Sequence, residues 1–472
     1  MRDIAIRLKL VLAALAVALA SPVMAQTVIE ELAEVRFGNH GGTGNVRQVL
    51  AGPDDRTIVV GTAYLDDPKR AGQILTTLTY AEISQNGTLL ADKRFGLTPA
   101  MSVRAAAYGN GVTYIYGFNA PSLFSDNPDT WVAAIAQGGR MLWRKPVDES
   151  KLGDIELFVE ASGRLVMAGN MTRTEEVGIV PWSADGIMGT PQIFGTVAKD
   201  GWSYPQWLVR DAGTVGTELL YSRFSEEEVR LDRFTADAGA NWTASVLWAD
   251  QRQPSKARPT GMALKALDNG GLVLIGRRGS LNIDKATKRY QSKDLFYWVI
   301  EGETEGTPSL RHLGRRIDAS LVDISSKPDG SYLLHSNTTD LETLPDNPPS
   351  GLVGHRETLT IADSKAMSIY RSTYAQRIQT VDTSDITAPI MFGQLVDTEM
   401  GKNSGFAYVL TNYVMYGTGK TYAQKFLGAF EDIKHSRRAA NGDLLLVSEA
   451  GNNSTLYGPV FRTLRITPGV KN

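Results

Sequence analysis

The stretch Val103–Gly117, VRAAAYGNGVTYIYG, decides the fold of this chain. Two β-prone segments flank Asn110-Gly111, which is the pattern of a β-hairpin with a two-residue turn. Asn and Gly both accept the positive φ that such a turn requires. The second segment ends on a glycine. The stretch therefore predicts one antiparallel hairpin that closes on a small residue.

The same hairpin recurs along the chain, with the closing small residue kept. Further copies are Ile155–Gly169, Met262–Gly276, Leu321–Ser336 and Ile433–Ser448. Counting weaker copies, the turns fall near Asp55, Asn110, Gly163, Gly213, Gly270, Gly330, Asp385 and Gly442. Their spacing of roughly 55 residues is the period of a repeated supersecondary unit. The Asp385 copy is the weakest, because Pro389 removes a ladder donor from its second strand.

A second hairpin follows the first in each repeat. Clear examples are Thr79–Phe95, Trp131–Lys145, Gly178–Phe194 and Leu295–Leu313, each with a glycine in its turn. Two successive hairpins make a four-stranded antiparallel unit. The sequence therefore predicts an all-β protein of such units.

These units resemble the blades of exported bacterial β-propeller-repeat proteins, in which a hairpin with a glycine turn is paired with a Trp-bearing outer strand. The resemblance covers nearly the whole mature chain and implies a single β-propeller domain over residues 26–472. Eight blades are favoured and seven are the alternative. The quinoprotein signature and the Trp-Asp dipeptide of the WD-repeat family are missing from the sequence, and the Gly-His dipeptide of that family occurs once, at Gly354-His355.

The last unit lacks one strand, and the N-terminus offers it. Ile29–Phe37, IEELAEVRF, is similar to the predicted fourth strands Leu89–Phe95 and Met188–Phe194, including the Phe-Gly ending. An N-terminal strand added to the last blade would close the ring and remove its exposed sheet edges.

Residues 1–25 are expected to be a Sec-type signal peptide. Arg2, Arg7 and Lys9 precede an apolar run over residues 10–20, and Val23-Met24-Ala25 supplies a cleavage site near Ala25. The run is shorter than the ~20 residues that span a bilayer. We therefore expect a periplasmic or secreted protein without a transmembrane segment in the mature chain, the alternative being an uncleaved anchor.

Composition narrows the chemistry. The chain has no cysteine, five histidines and a formal net charge of −2, so thiolate metal sites and disulfides are excluded and no cofactor or metal is expected. No basic run points to nucleic acid. Oxygen-rich segments at Ser125–Asp129 and Asp340–Asn347 leave calcium open, although neither has the order of an EF-hand loop.

The connections opposite the hairpin turns are predicted to be long, at Tyr64–Gln73, Asn119–Asp129, Gly279–Asp294 and Asn337–Gly354. Long loops on a rigid scaffold usually carry function, so this face is the candidate binding surface. Residues expected around its channel mouth are His40, Arg104, Trp202, Tyr204, Arg277, Arg278 and His335. The alternative is that Trp202 and Tyr204 pack between blades and that the arginines are solvated.

One segment resembles the Asp-box turn of sialidases. In Thr235–Trp242, TADAGANW, Asp237 and Gly239 would shape the turn and Trp242 would pack into the blade. Asn241 replaces the threonine of that motif. The resemblance implies a structural turn and no catalytic residue.

No nucleophile–base pair can be assigned from the sequence. The leading hypothesis is a non-enzymatic scaffold that binds a protein or an envelope polysaccharide through the long-loop face. The alternative is a glycan-active hydrolase or lyase with acidic residues at the channel mouth, which would need two carboxyl groups at a defined separation. The sequence does not predict the oligomeric state.

Overall fold

A computed structural model of the chain describes 32 β-strands and the turns around many of them. The described residues are 28–38, 43–67, 69–70, 73–120, 129–147, 152–160, 162–171, 176–194, 203–211, 217–224, 229–236, 241–250, 259–266, 272–278, 293–300, 309–316, 320–326, 332–338, 355–362, 365–371, 376–382, 390–397, 409–416, 423–429, 431–450 and 458–467. The predicted signal peptide lies outside them.

The described strands form eight four-stranded antiparallel sheets, numbered here as blades from the first to the last along the chain. Blade 1 holds β2 (Thr43–Ala51), β3 (Thr57–Asp66), β4 (Ile74–Ile83) and β5 (Leu89–Thr98). Blade 2 holds β6 (Ala100–Gly109), β7 (Val112–Ala120), β8 (Asp129–Ala136) and β9 (Arg140–Pro146). Blade 3 holds β10 (Leu152–Val159), β11 (Leu165–Met171), β12 (Val177–Trp182) and β13 (Gln192–Phe194). Blade 4 holds β14 (Ser203–Asp211), β15 (Thr217–Phe224), β16 (Val229–Ala236) and β17 (Trp242–Asp250).

The second half of the chain repeats this order. Blade 5 holds β18 (Pro259–Ala266), β19 (Leu272–Arg278), β20 (Lys293–Ile300) and β21 (Ser309–Arg316). Blade 6 holds β22 (Ser320–Ser326), β23 (Tyr332–Thr338), β24 (His355–Ala362) and β25 (Lys365–Arg371). Blade 7 holds β26 (Gln376–Asp382), β27 (Ile390–Asp397), β28 (Val409–Tyr416) and β29 (Ala423–Ala429). Blade 8 holds β30 (Glu431–Arg438), β31 (Leu444–Ala450), β32 (Pro459–Thr467) and, from the N-terminus, β1 (Val28–Arg36).

The blades meet through their first strands. The contacting pairs are β2 with β6, β6 with β10, β10 with β14, β14 with β18, β22 with β26, β26 with β30, and β30 with β2. First strands therefore lie at the centre and fourth strands at the rim. This arrangement confirms the predicted all-β propeller of four-stranded blades.

The N-terminal strand closes the ring as predicted. β1 pairs antiparallel with β32 from Val28↔Thr467 to Arg36↔Val460, so blade 8 contains both ends of the described chain. The closed blade is fastened to blade 1 by Arg437, whose guanidinium donates to the carbonyl oxygens of Asp55 and Arg56 at 2.7 and 2.9 Å. Because β1 pairs with β32, the outer edge of β32 is covered and does not remain as an open sheet edge.

Each described hairpin turn uses the positive φ that its sequence predicts. In the first turns, φ is +56° at Asp55, +49° at Asn110, +84° at Gly163 and +88° at Gly442. In the second turns, φ is +82° at Gly87 and +76° at Gly186. A side chain other than Asn or Asp would be strained at such positions.

The core is divided into apolar layers between neighbouring blades. Ile58, Val60 and Tyr80 of blade 1 pack against Ile115, Trp131 and Ala133 of blade 2. Equivalent layers join blades 2 and 3, 3 and 4, 7 and 8, and 8 and 1. Blades 8, 1, 2 and 3 are thus buried on both faces, which explains why their inner strands read as continuous apolar runs.

Three details differ from the sequence-based expectation. The fourth strand of blade 3 is β13 alone, shorter than the predicted Met188–Phe194, because Pro191 precedes it and Gly189 donates instead to the carbonyl of Pro181 at 2.8 Å. The predicted connection Tyr64–Gln73 is shorter, since β3 and β4 stay paired to Asp66↔Ile74. β27 begins at Ile390, directly after Pro389, so that proline costs the strand no donor.

Candidate functional site

The first strand of every blade carries a β-bulge, and these bulges are the most regular feature of the ring's centre. In each described pairing of first with second strand, the register shifts once, at a site that begins in the N-terminal half of the first strand. The shifts fall between Val46/Gln48, Val103/Ala105, Gly153/Glu156, Ser203/Gln206, Pro259/Gly261, Leu321/Asp323, Ile378/Thr380 and Ile433/His435. A bulge redirects a side chain that regular alternation would bury.

On blades 1 and 2 the bulge explains the glycine that closes the sequence repeat. Val46 pairs with Gly61, and a Cβ on that glycine would lie 2.0 Å from the carbonyl oxygen of Asn45. Val103 pairs with Gly117, whose Cβ would lie 2.5 Å from the carbonyl oxygen of Ser102. The bulged backbone thus approaches the second strand too closely for a side chain, so glycine is required for a steric reason.

On blades 8, 1 and 2, the residue that the bulge inserts is basic. These residues are Lys434, Arg47 and Arg104, and we call them the basic arc. All three are exposed, whereas Ile433, Val46 and Val103, which precede them, are buried. Since the first strands of these three blades contact one another in the order β30, β2, β6, the arc follows the inner wall of the ring across the closing seam.

Two members of the basic arc reach toward the long-connection end of the ring. The Arg104 guanidinium lies over the Phe118 ring, 4.9 Å from its centroid, and Phe118 is near the end of β7. Lys434 Nζ lies 3.3 Å from a carboxylate oxygen of Glu449, near the end of β31. Second strands end at the face opposite the hairpin turns. The arc therefore opens toward the face that the sequence predicts as the binding surface.

Glu156 directly follows the bulge in the first strand of blade 3, and the pKa of its carboxyl group is raised. Its burial raises its pKa from 4.5 to about 7, opposed by a hydrogen bond from the Leu157 backbone. The neighbouring first strand, β6, carries Arg104. A carboxyl group that titrates near neutrality is suited to proton transfer.

The raised pKa of Glu156 predicts how stability depends on pH. The folded state holds this proton more tightly than the unfolded state, so the stability it contributes is present below about pH 4.5 and is lost as the pH rises through 7. Glu156→Gln should therefore stabilise the protein by about 2 kcal/mol at pH 8, after allowance for partial exposure, and change little at pH 4. Urea unfolding at both pH values measures this, with Glu30→Gln on β1 as the exposed control. Equal effects of Glu156→Gln at both pH values would contradict it.

The hairpin-turn face carries a different concave feature, a cavity of about 440 Å³ at the closing seam. Its walls come from blade 8 and blade 1 and include Leu32, Asp54, Ser84, Gln85, Asn86, Asn441, Asp443, Thr463 and Arg465. Its main charged groups satisfy each other, because the Arg465 guanidinium donates to both Asp443 oxygens at 2.7 and 2.8 Å and holds the pKa of that carboxyl low. The Thr463 hydroxyl donates to the Gln85 carbonyl at 2.7 Å. These contacts fasten the seam.

The structure describes some of the predicted site residues and leaves others aside. His40, Trp202, Asp237 and Gly239 lie outside the described residues, as do most residues of the predicted long connections and oxygen-rich segments. Tyr204 lies in β14, Arg277 and Arg278 end β19, and His335 of β23 pairs with Asp323 of β22. Trp242 begins β17, is 5% exposed and meets the Phe158 ring edge-on at 5.9 Å. These residues remain predictions of a binding face and of a structural turn.

Sequence reasoning named Arg104 but missed Arg47 and Lys434. The available signal was positional: each of the three basic residues follows an apolar residue that pairs with the closing Gly or Ser of its repeat, as Ile433 does with Ser448. The sequence of a single repeat shows neither the bulge nor the fact that blades 8 and 1 are neighbours.

In the described part of the chain, no group of three or more His, Asp or Glu side chains is placed to hold a metal ion. Nor does that part contain a helix with the length and hydropathy needed to cross a membrane.

Comparison with known proteins yields distant likenesses of fold. No family model and no curated protein matches the sequence. Among solved structures, a protein of unknown function from Dyadobacter fermentans DSM 18053 is 9% identical with a TM-score of 0.39, over 93% of this chain and 99% of that one. The polysaccharide lyase Uly1 is 10% identical with a TM-score of 0.41, over 81% and 91%. The GH93 α-L-arabinofuranosidase of Fusarium graminearum is 12% identical with a TM-score of 0.32, over 67% and 94%. At these identities and scores the likenesses carry no argument about function.

Proposed function

We propose that this protein is a non-enzymatic scaffold, periplasmic or secreted, that binds an envelope polysaccharide at the long-connection end of its ring. The observation that carries the proposal is the series of bulges, which on blades 8, 1 and 2 inserts exposed basic side chains into the inner wall. A closed ring of paired strands holds these positions rigidly. Rigid placement of polar groups in a concave surface is what selective ligand binding requires.

A polysaccharide is favoured over a protein partner by where the apolar side chains lie. Exposed large apolar residues of the described chain are mostly on fourth strands, at the rim; they include Leu89, Leu90 and Leu97 of β5, Leu142 of β9, Ile193 of β13 and Val246 of β17. The residues that the bulges of blades 8, 1 and 2 insert into the inner wall are exposed and charged instead. Protein–protein sites usually centre on buried aromatic and apolar anchors, whereas charged and polar groups suit a hydroxyl-rich ligand.

A glycan-active lyase or hydrolase is the second candidate, and Glu156 is the observation that favours it. Its pKa of about 7 would allow it to take or give a proton at neutral pH. Hydrolysis by the usual route needs a second carboxyl group at a fixed separation. No such partner for Glu156 is assigned among the residues that the structure describes.

One experiment separates binding from catalysis. Purified protein is passed over columns of immobilised polysaccharides, acidic and neutral, and the eluates are assayed for new reducing ends and unsaturated products. We expect retention on at least one polysaccharide without any product. If product formed with the wild type and was lost in the Glu156→Gln variant, the enzyme hypothesis would replace the scaffold hypothesis. Passage through every column without retention would contradict polysaccharide binding.

A further inference from the structure

We infer that the ligand is an anionic polymer whose carboxylate or sulfate groups are bound by the basic arc, Lys434, Arg47 and Arg104; this inference rests on the proposed function. The three cations occupy the same structural position on consecutive blades, namely the residue inserted by the first-strand bulge. A repeated position on a repeated unit gives a regular row of charges. A polymer with one acidic group per repeating sugar unit presents the complementary row.

The charge balance along the arc favours an anion. Lys434 Nζ lies 3.3 Å from a carboxylate oxygen of Glu449, and both side chains of this pair are partly exposed. A solvated pair of this kind contributes little stability, so an anionic ligand can displace Glu449 at small cost. The basic arc places three exposed cations on adjoining first strands, although the whole chain is close to neutral.

The arginine side chains are suited to bind oxyanions in pairs of hydrogen bonds. A guanidinium is planar and presents parallel N–H donors that match the two oxygens of a carboxylate or sulfate. The Arg104 guanidinium lies over the Phe118 ring, 4.9 Å from its centroid, and this contact restricts its rotation and needs none of its N–H donors. Prior orientation of this kind lowers the entropic cost of binding.

Ligand binding should also be coupled to ring closure. Lys434 belongs to blade 8 and Arg47 to blade 1, and these blades are neighbours only because β1 completes blade 8 and Arg437 fastens it to Asp55. A polymer that spans both cations binds the closed ring and not an opened one. By mass action it should raise the thermal midpoint of unfolding.

The test compares matched pairs of polymers with matched pairs of variants. Dextran sulfate is compared with dextran, and polygalacturonate with its methyl ester, so that each pair differs in charge alone. Affinities are measured by calorimetry for the wild type, for Arg47→Gln/Arg104→Gln, and for the control Arg94→Gln/Arg140→Gln. The control removes two exposed arginines from the fourth strands β5 and β9. Arg47→Lys/Arg104→Lys tests rescue by charge.

We expect the wild type to bind at least one charged polymer and to prefer it to its neutral counterpart, with affinity falling as salt rises. The arc variant should bind about tenfold or more weakly and lose the polymer-induced rise in thermal midpoint, while the control keeps both within about twofold to threefold. The lysine variant keeps the positive charge but not the paired donors, so it should bind more weakly than the wild type and more tightly than the arc variant. Equal affinity for charged and neutral polymers, or unchanged affinity of a folded arc variant, would overturn the inference and leave polysaccharide binding intact. Absence of binding to all four polymers, and to the immobilised panel, would instead overturn the proposed function.

Discussion

Deleting residues 28–36, the strand β1, should abolish the cooperative unfolding of this protein as a monomer. β32 is buried along most of its length beneath β1 and would become an open sheet edge. Arg462 of β32, 1% exposed, would lose Glu34 and Glu31, whose carboxylates lie 3.2 and 3.8 Å from its guanidinium. Breaking a buried ion pair by removing one partner costs up to about 3–5 kcal/mol, and the cost is smaller where the remaining charge gains access to water. We expect a lower thermal midpoint and oligomers formed through the free edge.

Calorimetry and size-exclusion chromatography measure this outcome. Truncation after Thr467, where β32 ends, serves as the control because it removes a terminal segment of chain without removing a strand of the blade. A synthetic peptide of residues 28–37 should restore the monomer when added in trans, whereas the same peptide with both Glu31 and Glu34 replaced by lysine should not. A monomeric deletion variant with an unchanged midpoint would show that β1 does not close the ring.

Gly61→Ala and Gly117→Ala should each destabilise the protein by about 3 kcal/mol or more. The added Cβ would lie 2.0 Å from a backbone oxygen at Gly61 and 2.5 Å from one at Gly117, where the nearest Trp131 ring atom is also 2.7 Å away. Backbone held in a bulge between packed blades cannot move aside cheaply, and overpacking of a rigid core costs about 1–3 kcal/mol even where side chains give way. These two glycines are therefore predicted to be among the least replaceable residues of the chain.

Gly442→Ala provides the comparison, because it isolates the conformational cost. At Gly442 φ is +88° and an added Cβ would meet no atom within 4 Å, so the penalty is that of a left-handed backbone, about 1–2 kcal/mol. Urea unfolding of the three variants gives the free energies. A cost at Gly61 no larger than that at Gly442 would mean that the first-strand bulge relaxes and is not a fixed feature of the ring.

The turns were predictable because their chemistry is local. Asn110-Gly111 and Asn441-Gly442 accept positive φ whatever surrounds them, so hairpin positions follow from the residues alone. The resemblance of Ile29–Phe37 to other fourth strands predicted the closing strand, and β1 confirms it. The prediction for blade 3 was too long because Pro191 and Gly189 interrupt a segment whose apolar pattern continues.

The candidate site was less predictable because a bulge changes the phase of a strand. If side chains alternated strictly after Val46, Arg47 and Val49 would lie on the same side of the sheet. Arg47 is the residue that the bulge inserts, so the alternation is broken there and the sequence pattern no longer predicts which way these side chains face. Arg104 was identified as a channel residue from its position early in a first strand. Lys434 was missed, although its place relative to Ser448 matches that of Arg47 relative to Gly61.

The sequence by itself determined the repeated hairpins, the four-stranded unit and the strand that completes the last blade, since turn conformation and strand pattern are properties of short segments. Only the tertiary structure decided that the closing glycines Gly61 and Gly117 face a bulged backbone, and that Lys434 and Arg47, from opposite ends of the chain, stand on adjacent blades. Both results depend on atoms brought together across strands and across the seam. Contacts of that kind depend on packing between distant segments, which no single repeat encodes.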